Sequence, residues 1–590
     1  MKKLVVFIIL ISAAFMGCLS VGAVNMDFAD GSFLYQEDNY LLGVPAMTSA
    51  SLVKSNFDSS SATVDGKSDS DLVGTGAVVK STRELIVVVK GDVNGDARVS
   101  TSDYILQKKS INGATQLEGA FYKAADVNND DEVSSADYLQ VKKYFTGKAD
   151  LYEGMSAVPY KPQFEKKDYS ARKAAYRMDR DKINIGLYGW EKGTDNVFIS
   201  KDYLEEAKND FGADFIASRS KNTKVFNWCA ELGLGVISKN VNFTKYTISS
   251  QAQPTDGDYS QYDCLKDGTY KDYDCIWGEE IYDEPVVKYY SWMSGAQNIY
   301  SQYLTDKFAF FNLMGAPDPY MGSAAAYGAT TYEDYVAGYV ENVDSDYICF
   351  DIYPFDNTKE GFNSSYLYSM DTVATAAKET GRDFWIIMQS GSTSEEFKMT
   401  PAQLQWQVYT SLAYGATNIM YASYMPWWFI DNTCMVNNDG TKTNLWAAGQ
   451  EVNQVVHKLS PVFMDYEWLG VDGYSYKETF MSAKQMRQQI VRNESRGYGD
   501  TRGFKDIQCE TGLLVGSFEH KEGDGYAMML VESCDAYDMN VSSTVTFRVA
   551  DSSCNKVTAY PNGEPQVLTP VDGVYTVELK SGQGCFVTVE

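Results

Sequence analysis

The chain has 590 residues and a formal net charge of −28. That is length for three or four domains, with an acid excess that argues against nucleic acid or an anionic membrane surface as partner. There are two histidines, His457 in a helical stretch and His520 in a β-rich tail, and neither sits in a recognisable motif. His-based zinc sites and a Ser-His-Asp triad are therefore not expected, and any acid–base chemistry falls mainly to carboxylates, with Tyr or Lys in support.

The first predicted element is a leader. Lys2-Lys3 precede an apolar run from Leu4 to Gly17 and the small residues Val21-Gly22-Ala23, the three parts of a secretory signal peptide over 1–23. Cys18, after Phe15-Met16-Gly17, offers a lipoprotein alternative. No later apolar stretch is long enough to span a bilayer, so the mature chain is expected to be secreted, extracellular or in a cell-surface complex, without membrane insertion. Ten cysteines in so long a chain do not make a disulfide scaffold. Nine follow Ala23, so at least one is unpaired or binds another chain, and Cys264 and Cys275 could pair within one loop.

Residues 24–90, ending in Glu84-Leu85-Ile86-Val87-Val88-Val89, are expected to form a small β-rich module. Then GDVNGDARVSTSDY (91–104) returns 34 residues later as ADVNNDDEVSSADY (125–138). Counted from Asp92, oxygen-bearing side chains fall at positions 1, 3, 5, 9 and 12: Asp92, Asn94, Asp96, Ser100 and Asp103. The second loop repeats them with Asp126, Asn128, Asp130, Ser134 and Asp137. This is EF-hand ligand spacing, in which position 7 supplies a backbone carbonyl, here that of Arg98 and Glu132. Alternate residues of a tight loop can turn six to eight hard oxygens inward, as calcium requires, so two Ca2+ ions are expected. Position 12 is Asp rather than Glu, no helix is expected before either loop, and each loop runs into one amphipathic helix, Tyr104 to Ile111 and Tyr138 to Phe145.

Loop followed by helix, twice at this spacing, resembles a type I dockerin over about 91–150. The resemblance implies a calcium-dependent plug for a cohesin module of a scaffolding protein, as in a cellulosome. In that family loop positions 10 and 11 and basic helix pairs face the cohesin, which puts Thr101, Ser102, Ser135, Ala136, Lys108, Lys109, Lys142 and Lys143 at the partner surface. The segment 24–90 is similar to the small β modules that often precede dockerins.

A polar stretch, 151–181, is expected to link the dockerin to the rest. From Lys182, short apolar runs alternate with helical patterns. The predicted strands are 183–190, 214–219, 235–241, 279–285, 308–314, 347–355, 384–390 and 418–426, with helices between most of them. Eight β/α units indicate a (β/α)8 TIM barrel over 182–466. An open doubly wound sheet is the alternative, but no Gly-rich phosphate loop follows the first strand. Residues 467–590 turn all-β and predict a C-terminal β-sandwich.

In a barrel the active site forms at the C-terminal strand ends. There the chain places Trp190, Arg219, Asn242, Asp283, Glu284, Asn312, Asp351, Tyr353, Gln389, Tyr421 and Tyr424, followed by Trp427-Trp428. Aromatic faces suit pyranose faces, while amides and acids suit sugar hydroxyls. Trp190, Asp283, Asn312, Tyr353, Gln389, Tyr421, Tyr424 and Trp427 are therefore candidate sugar-binding residues. Glycosidic cleavage needs one acid for the leaving oxygen and a second carboxylate as nucleophile or base.

Tyr282-Asp283-Glu284-Pro285 resembles the Asn-Glu-Pro of clan A glycoside hydrolases. The order IYDEP, FDIYPF, FWIIMQS, QWQVYTSLAYGATNIMY is similar to β-galactosidase-like catalytic barrels with a β-sandwich tail, over about 180–590. The resemblance implies Glu284 as acid/base. It also implies a nucleophilic Glu at the end of strand seven, where this chain has Gln389, and an amide cannot attack an anomeric carbon. Asp351, two strands from Glu284 on the same rim, is the expected second catalytic carboxylate. Glu280 should lie roughly 13 Å below the rim, and Glu395 and Glu396 are reserves on the loop after strand seven. The expected function is polysaccharide or oligosaccharide hydrolysis. The alternatives are a non-catalytic carbohydrate-binding protein on a degenerate barrel, which Gln389 favours, and a purely structural scaffold component.

Overall fold

The computed structural model describes residues 28, 34–46, 48–57, 62–69, 71–128, 132–145, 151, 164–190, 200–218, 223–239, 254–317, 327–329, 331–355, 363, 365–474, 503–509, 511–523, 525–533, 542–550 and 556–590. The expected leader, Cys18, Asp130, Arg219 and Asn242 lie outside them, as do the side chains of Thr101 and Lys143. The chain divides into two compact units, Met1–Tyr160 and Lys161–Glu590.

The first unit opens with a five-stranded sheet in the order β1-β2-β5-β4-β3, made of Tyr35–Glu37, Tyr40–Leu42, Thr63–Val64, Val78–Lys80 and Glu84–Val87. Only β2 and β5 run parallel. Leu41, Val53, Val79, Leu85 and Val87 form its core. A second cluster joins Leu42 and Val88 to Val93, Leu117, Ala120 and Ala124, so the module and the repeats share apolar contacts within this unit.

The two loops lead into the helices Thr101–Ile111 and Ser135–Phe145. Ser100 and Asp103 form a capping box at the first, satisfying backbone donors that a helix start leaves unpaired. One expectation needs correcting. A short helix, Ala120–Ala125, does precede the second loop, its AFYKAA sequence being too brief for a helical period to stand out.

In the second unit eight parallel strands close into a barrel: β6 Asn184–Tyr188, β7 Phe215–Ser218, β8 Gly235–Ser238, β9 Ile276–Asp283, β10 Phe308–Met314, β11 Tyr347–Ile352, β12 Asp383–Gln389 and β13 Asn418–Ala422. β13 pairs with β6 to complete the ring. The lumen is filled by Tyr188, Phe215, Ala217, Ile237, Phe308, Phe310, Tyr347, Trp385, Ile387, Met420 and Ala422. Gly186 makes room for the Phe215 ring, which a Cβ there would meet at 2.2 Å. Helices follow the strands; among the described residues the α-helix after β8 is the short Asp263–Lys266.

The expected linker is also corrected, for its described part, 164–181. This segment closes the N-terminal end of the barrel. Arg180 is buried between Asp346 and Asp383 at 2.8 and 2.5 Å, with its guanidinium 4.6 Å from the Trp385 ring centroid. Lys173 joins Asp383, and Arg177 joins Asp272 and Asp306. Met178 packs into the lumen core. The polar composition that suggested a linker is a set of cations matched to acids at the strand starts.

After the helix Asn444–Phe463 come β14 Tyr466–Tyr474, β15 Phe504–Cys509, β16 Leu513–His520, β17 Tyr526–Glu532, β18 Ser542–Val549, β19 Val557–Tyr560, β20 Gln566–Val567, β21 Tyr575–Lys580 and β22 Gly584–Val589. They form a sheet β14-β16-β17-β22-β19-β20 facing a sheet β15-β18-β21. The larger sheet packs on the helix Pro401–Ala413. Trp406 Nε1 donates to Ser533 Oγ at 2.9 Å, and a Cβ on Gly516 would come within 2.2 Å of the Ala413 carbonyl oxygen. Barrel and sandwich residues form one continuous apolar cluster. All described cysteines are free thiols, so Cys264 and Cys275 are not joined.

Candidate active site and cation loops

A register shift in β9 brings the acids together. Glu280 pairs with Phe310 and Tyr282 with Phe311, leaving Ile281 as the extra residue. Ile281 and Tyr282 both pack in the outer cluster, so Glu280 and Asp283 both point to the lumen, as a bulge allows. Asn312, at the same level of β10, bridges two carboxylates: its Nδ2 donates to Asp283 Oδ1 at 3.1 Å and to Asp351 Oδ1 at 2.9 Å. The Tyr188 hydroxyl donates to Asp283 Oδ2 at 3.1 Å, and the Tyr353 hydroxyl bonds to Asp351.

Glu284 follows in a left-handed conformation, φ 53°, a geometry that costs an L residue roughly 1–2 kcal/mol. Its N–H donates to the Asn312 carbonyl at 2.8 Å. The Asp351 charge, burial and the Asp283 charge together push the Glu284 carboxyl up to about 9, against the pull of Lys239. Burial, then the Asp283 charge, raise Asp351 to about 7, while the Asn312 and Tyr353 hydrogen bonds oppose them. The rim thus holds Glu284 as a neutral acid beside acceptors whose donors are already in place. Glu280 lies deeper, buried, in a 2.5 Å ion pair with Lys239. Lys239 Nζ sits 3.6 Å from the Tyr188 ring centroid.

Aromatic rings link the two sides of this cluster. Trp428 meets Tyr188 edge-on at 6.1 Å, Phe429 packs on Trp428 at 5.5 Å, and Tyr353 meets Phe429 at 5.6 Å. Trp427 and Trp428 are 37% and 36% exposed, surface open to a ligand face. Sequence reading placed Trp427-Trp428 beside the rim but named only Trp427 of the two as a binding residue, and it passed over Tyr188 and Lys239. The signal for Tyr188 was its place at the end of the first strand, two residues before Trp190.

Several other candidates are buried among the protein's own groups. Both ends of the Gln389 side chain are spent on backbone: Oε1 accepts from Phe355 N–H, and Nε2 donates to the Phe355 and Gly391 carbonyls, each at 3.0 Å. Tyr421 is buried against the outer helices, donating to Asn453 Oδ1 at 2.6 Å. The buried Tyr424 hydroxyl accepts from Trp446 Nε1 at 2.8 Å. Trp190 is buried and stacks on Tyr203. All four, expected on the sugar-binding rim, are buried, and their described contacts are to the protein's own backbone and side chains. Glu395 and Glu396 are exposed on the loop after β12.

In the first loop Asp92 is fully buried and its carboxylate accepts four backbone N–H groups, from Thr75, Gly95, Asp96 and Ala97. Burial pushes it up to about 6, with Asp103 adding to the rise. Asp103 accepts from Ser100 N–H at 2.8 Å and from Asn94 N–H at 3.2 Å. Asp137 repeats both contacts, with Ser134 and Asn128, at the same distances. Tyr104 and Tyr138, 34 residues apart, stack at 4.2 Å and 12°. The loops are therefore near copies in space as in sequence. Among the described residues no group of three or more His, Cys, Asp or Glu is set to hold a metal ion. The donor chemistry of the first loop, carboxylates, an amide and a carbonyl, is nevertheless the hard-oxygen set that calcium takes.

A scan against protein families matches residues 90–146 to "Dockerin type I domain". Residues 90–146 carry a dockerin. No curated protein sequence matches the chain. Among solved structures, the chain is similar to a family 30 subfamily 8 xylanase from Clostridium acetobutylicum, with 10% identity, TM-score 0.36, 69% of this chain and 96% of that one covered. It is similar to a family 39 glycoside hydrolase from Bacteroides cellulosilyticus, with 10% identity, TM-score 0.38 and coverages of 70% and 82%. A β-xylosidase from Caulobacter crescentus gives 9% identity, TM-score 0.34 and coverages of 69% and 96%. The barrel itself is defined by the closed order of β6 to β13.

On the dockerin, Ser102, Lys108, Lys109, Ser135, Ala136 and Lys142 are exposed. Ile105 and Leu139, equivalent in the two repeats, are 48% and 54% exposed. Sequence reading did not single them out, although apolar residues on the open face of both helices were visible there. Among the described residues no helix is long and apolar enough to cross a membrane.

Proposed function

We propose that the protein is a secreted glycoside hydrolase that cleaves O-glycosidic bonds of a polysaccharide or oligosaccharide. Its dockerin anchors it, with calcium, to a cohesin of a scaffolding protein. The observation that carries the hydrolase reading is the carboxyl pair itself. Glu284 stands on a barrel rim where the Asp351 charge, burial and the Asp283 charge raise its carboxyl above the usual carboxylate range, beside an Asp351 that Asn312 and Tyr353 orient. Glu284 gives its proton to the glycosidic oxygen as the bond to the anomeric carbon breaks. Asp351 either takes a proton from the attacking water or attacks the anomeric carbon itself. Asp283, held by Tyr188 and Asn312, accepts from a sugar hydroxyl, and Trp427 and Trp428 supply the stacking surface.

Calcium would be held in the first loop by Asp92, Asn94, Asp96, Ser100, Asp103 and the Arg98 carbonyl. In the second it would be held by Asp126, Asn128, Asp130, Ser134, Asp137 and the Glu132 carbonyl. When bound, it would neutralise the loop carboxylates, and the loops would then hold the helices whose exposed faces meet the cohesin.

The test is reducing-sugar release from a panel of plant and microbial polysaccharides by wild type, Glu284→Gln and Asp351→Asn. Loss of about 10²–10⁴-fold in both variants is expected, and the product anomer then separates the two roles open to Asp351. A wild type that binds glycans but cleaves none supports the second reading, a carbohydrate-binding barrel. Gln389 favours that reading, since its amide ends are consumed by backbone where a nucleophilic carboxylate would have to be free.

A further inference from the structure

Ahead of β4, the turn containing Gly74 and Thr75 lies against the first cation loop. Thr75 N–H donates to Asp92 Oδ2 at 2.9 Å, among the described residues the one donor to this carboxylate that comes from outside the loop. Thr75 is itself clamped to the sheet: its Oγ1 donates to the Val89 carbonyl at 3.2 Å and accepts from Val89 N–H at 3.0 Å. The approach is close enough to need glycine. A Cβ on Gly74 would stand 2.5 Å from both Ala97 N and the Gly95 carbonyl oxygen, and one on Gly95 would stand 2.8 Å from the Thr75 carbonyl oxygen. The second loop meets a different group, the buried Lys90, whose Nζ donates to the Val127 carbonyl at 3.1 Å.

We propose that the N-terminal β module is a working part of the first calcium site: its Gly74-Thr75 turn holds the Asp92 carboxylate in place, so that calcium binding at this loop and folding of the module stabilise each other. The proposal rests on reading the loops as calcium sites. Asp92 has no solvent to orient it, so its rotamer is set by the four N–H groups, and only the Thr75 group depends on the sheet. Removing that support leaves a buried carboxylate short of a donor and free to turn from the loop centre. A cation bound at the loop must then favour the folded module by linkage. The second loop, supported by an ammonium group, gains nothing from the Gly74-Thr75 turn, so the two near-identical loops differ in what they depend on.

The test uses the full chain, calcium titration calorimetry and two backgrounds. Asp126→Asn leaves the first loop to report, and Asp92→Asn leaves the second. Gly74→Ala is expected to weaken calcium binding about tenfold in the Asp126→Asn background and to leave it unchanged in the Asp92→Asn background. Thr75→Val, which cuts the clamp to Val89 while keeping the N–H, gives a smaller loss in the same background. Val79→Ala, in the module core, lowers the module's thermal transition but, measured well below that transition where the module is still folded, leaves the affinity unchanged. Equal loss in both backgrounds, no loss beyond about twofold with Gly74→Ala, or the same loss with Val79→Ala would overturn the proposal. A wild type that gives no calcium heat would instead remove the reading of the loops on which it stands.

Discussion

Glu284 combines a strained backbone with a carboxyl that the Asp351 charge, burial and the Asp283 charge raise to about 9. Both Glu284 and Asp351 are displaced upward, so the folded chain retains protons that the unfolded chain releases once pH passes the ordinary carboxylate value of about 4.3. Stability contributed here is therefore lost as pH rises through the displaced range. Glu284→Gln removes that loss: its Tm at pH 8 should exceed wild type by roughly 2 °C or more, with the gap closing by pH 4, as differential scanning calorimetry would show. For catalysis Asp351 must release its proton and Glu284 must keep one, so the kcat/KM profile should peak at neutral to alkaline pH. A peak in the ordinary carboxylate range would contradict these roles. Trp428→Ala should raise KM about tenfold with little effect on Tm. Tyr421→Phe, which loses one buried hydrogen bond, should lower stability by about 1 kcal/mol and leave KM alone. Steady-state kinetics and urea unfolding on the same two variants separate sugar contact from packing.

At the scale of elements, Gln389 closes β12 by fastening the Phe355 and Gly391 backbones together. Gln389→Glu would set a carboxylate against two carbonyl oxygens. It should destabilise by about 2–3 kcal/mol in urea titrations and yield no new turnover, whereas a gain of activity would mean that the position faces substrate. The barrel strands were legible because each is a short apolar run, and β10 falls on its predicted bounds. What alternation could not tell was the facing of residues. Parallel strands buried on both sides carry no polar side to mark direction, so Tyr421 was read as rim when Met420 and Ala422 fill the lumen. The bulge at Ile281 was invisible for the same reason, although the local motif still picked out Asp283 and Glu284. The segment 164–181 was misread because its cations find their partners at positions 95 or more residues away, which composition cannot show.

At the scale of the molecule, the two compact units should answer calcium differently. A chelator should lower the thermal transition of the dockerin-bearing unit and leave that of the barrel and sandwich in place, seen as one moving peak and one fixed peak in calorimetry. A shift of both would mean that cation sites are not confined to the loops. The shared apolar cluster of barrel and sandwich, with Phe463 against Phe518 at 5.3 Å and Gly584 under the Tyr409 ring, has a genetic corollary. Module shuffling needs breakpoints that spare a core. One between Tyr160 and Lys161 would pass the barrel and its sandwich intact to a new anchor. One at residue 466 would strand two halves of a single interior, so these two folds are expected to travel through evolution together.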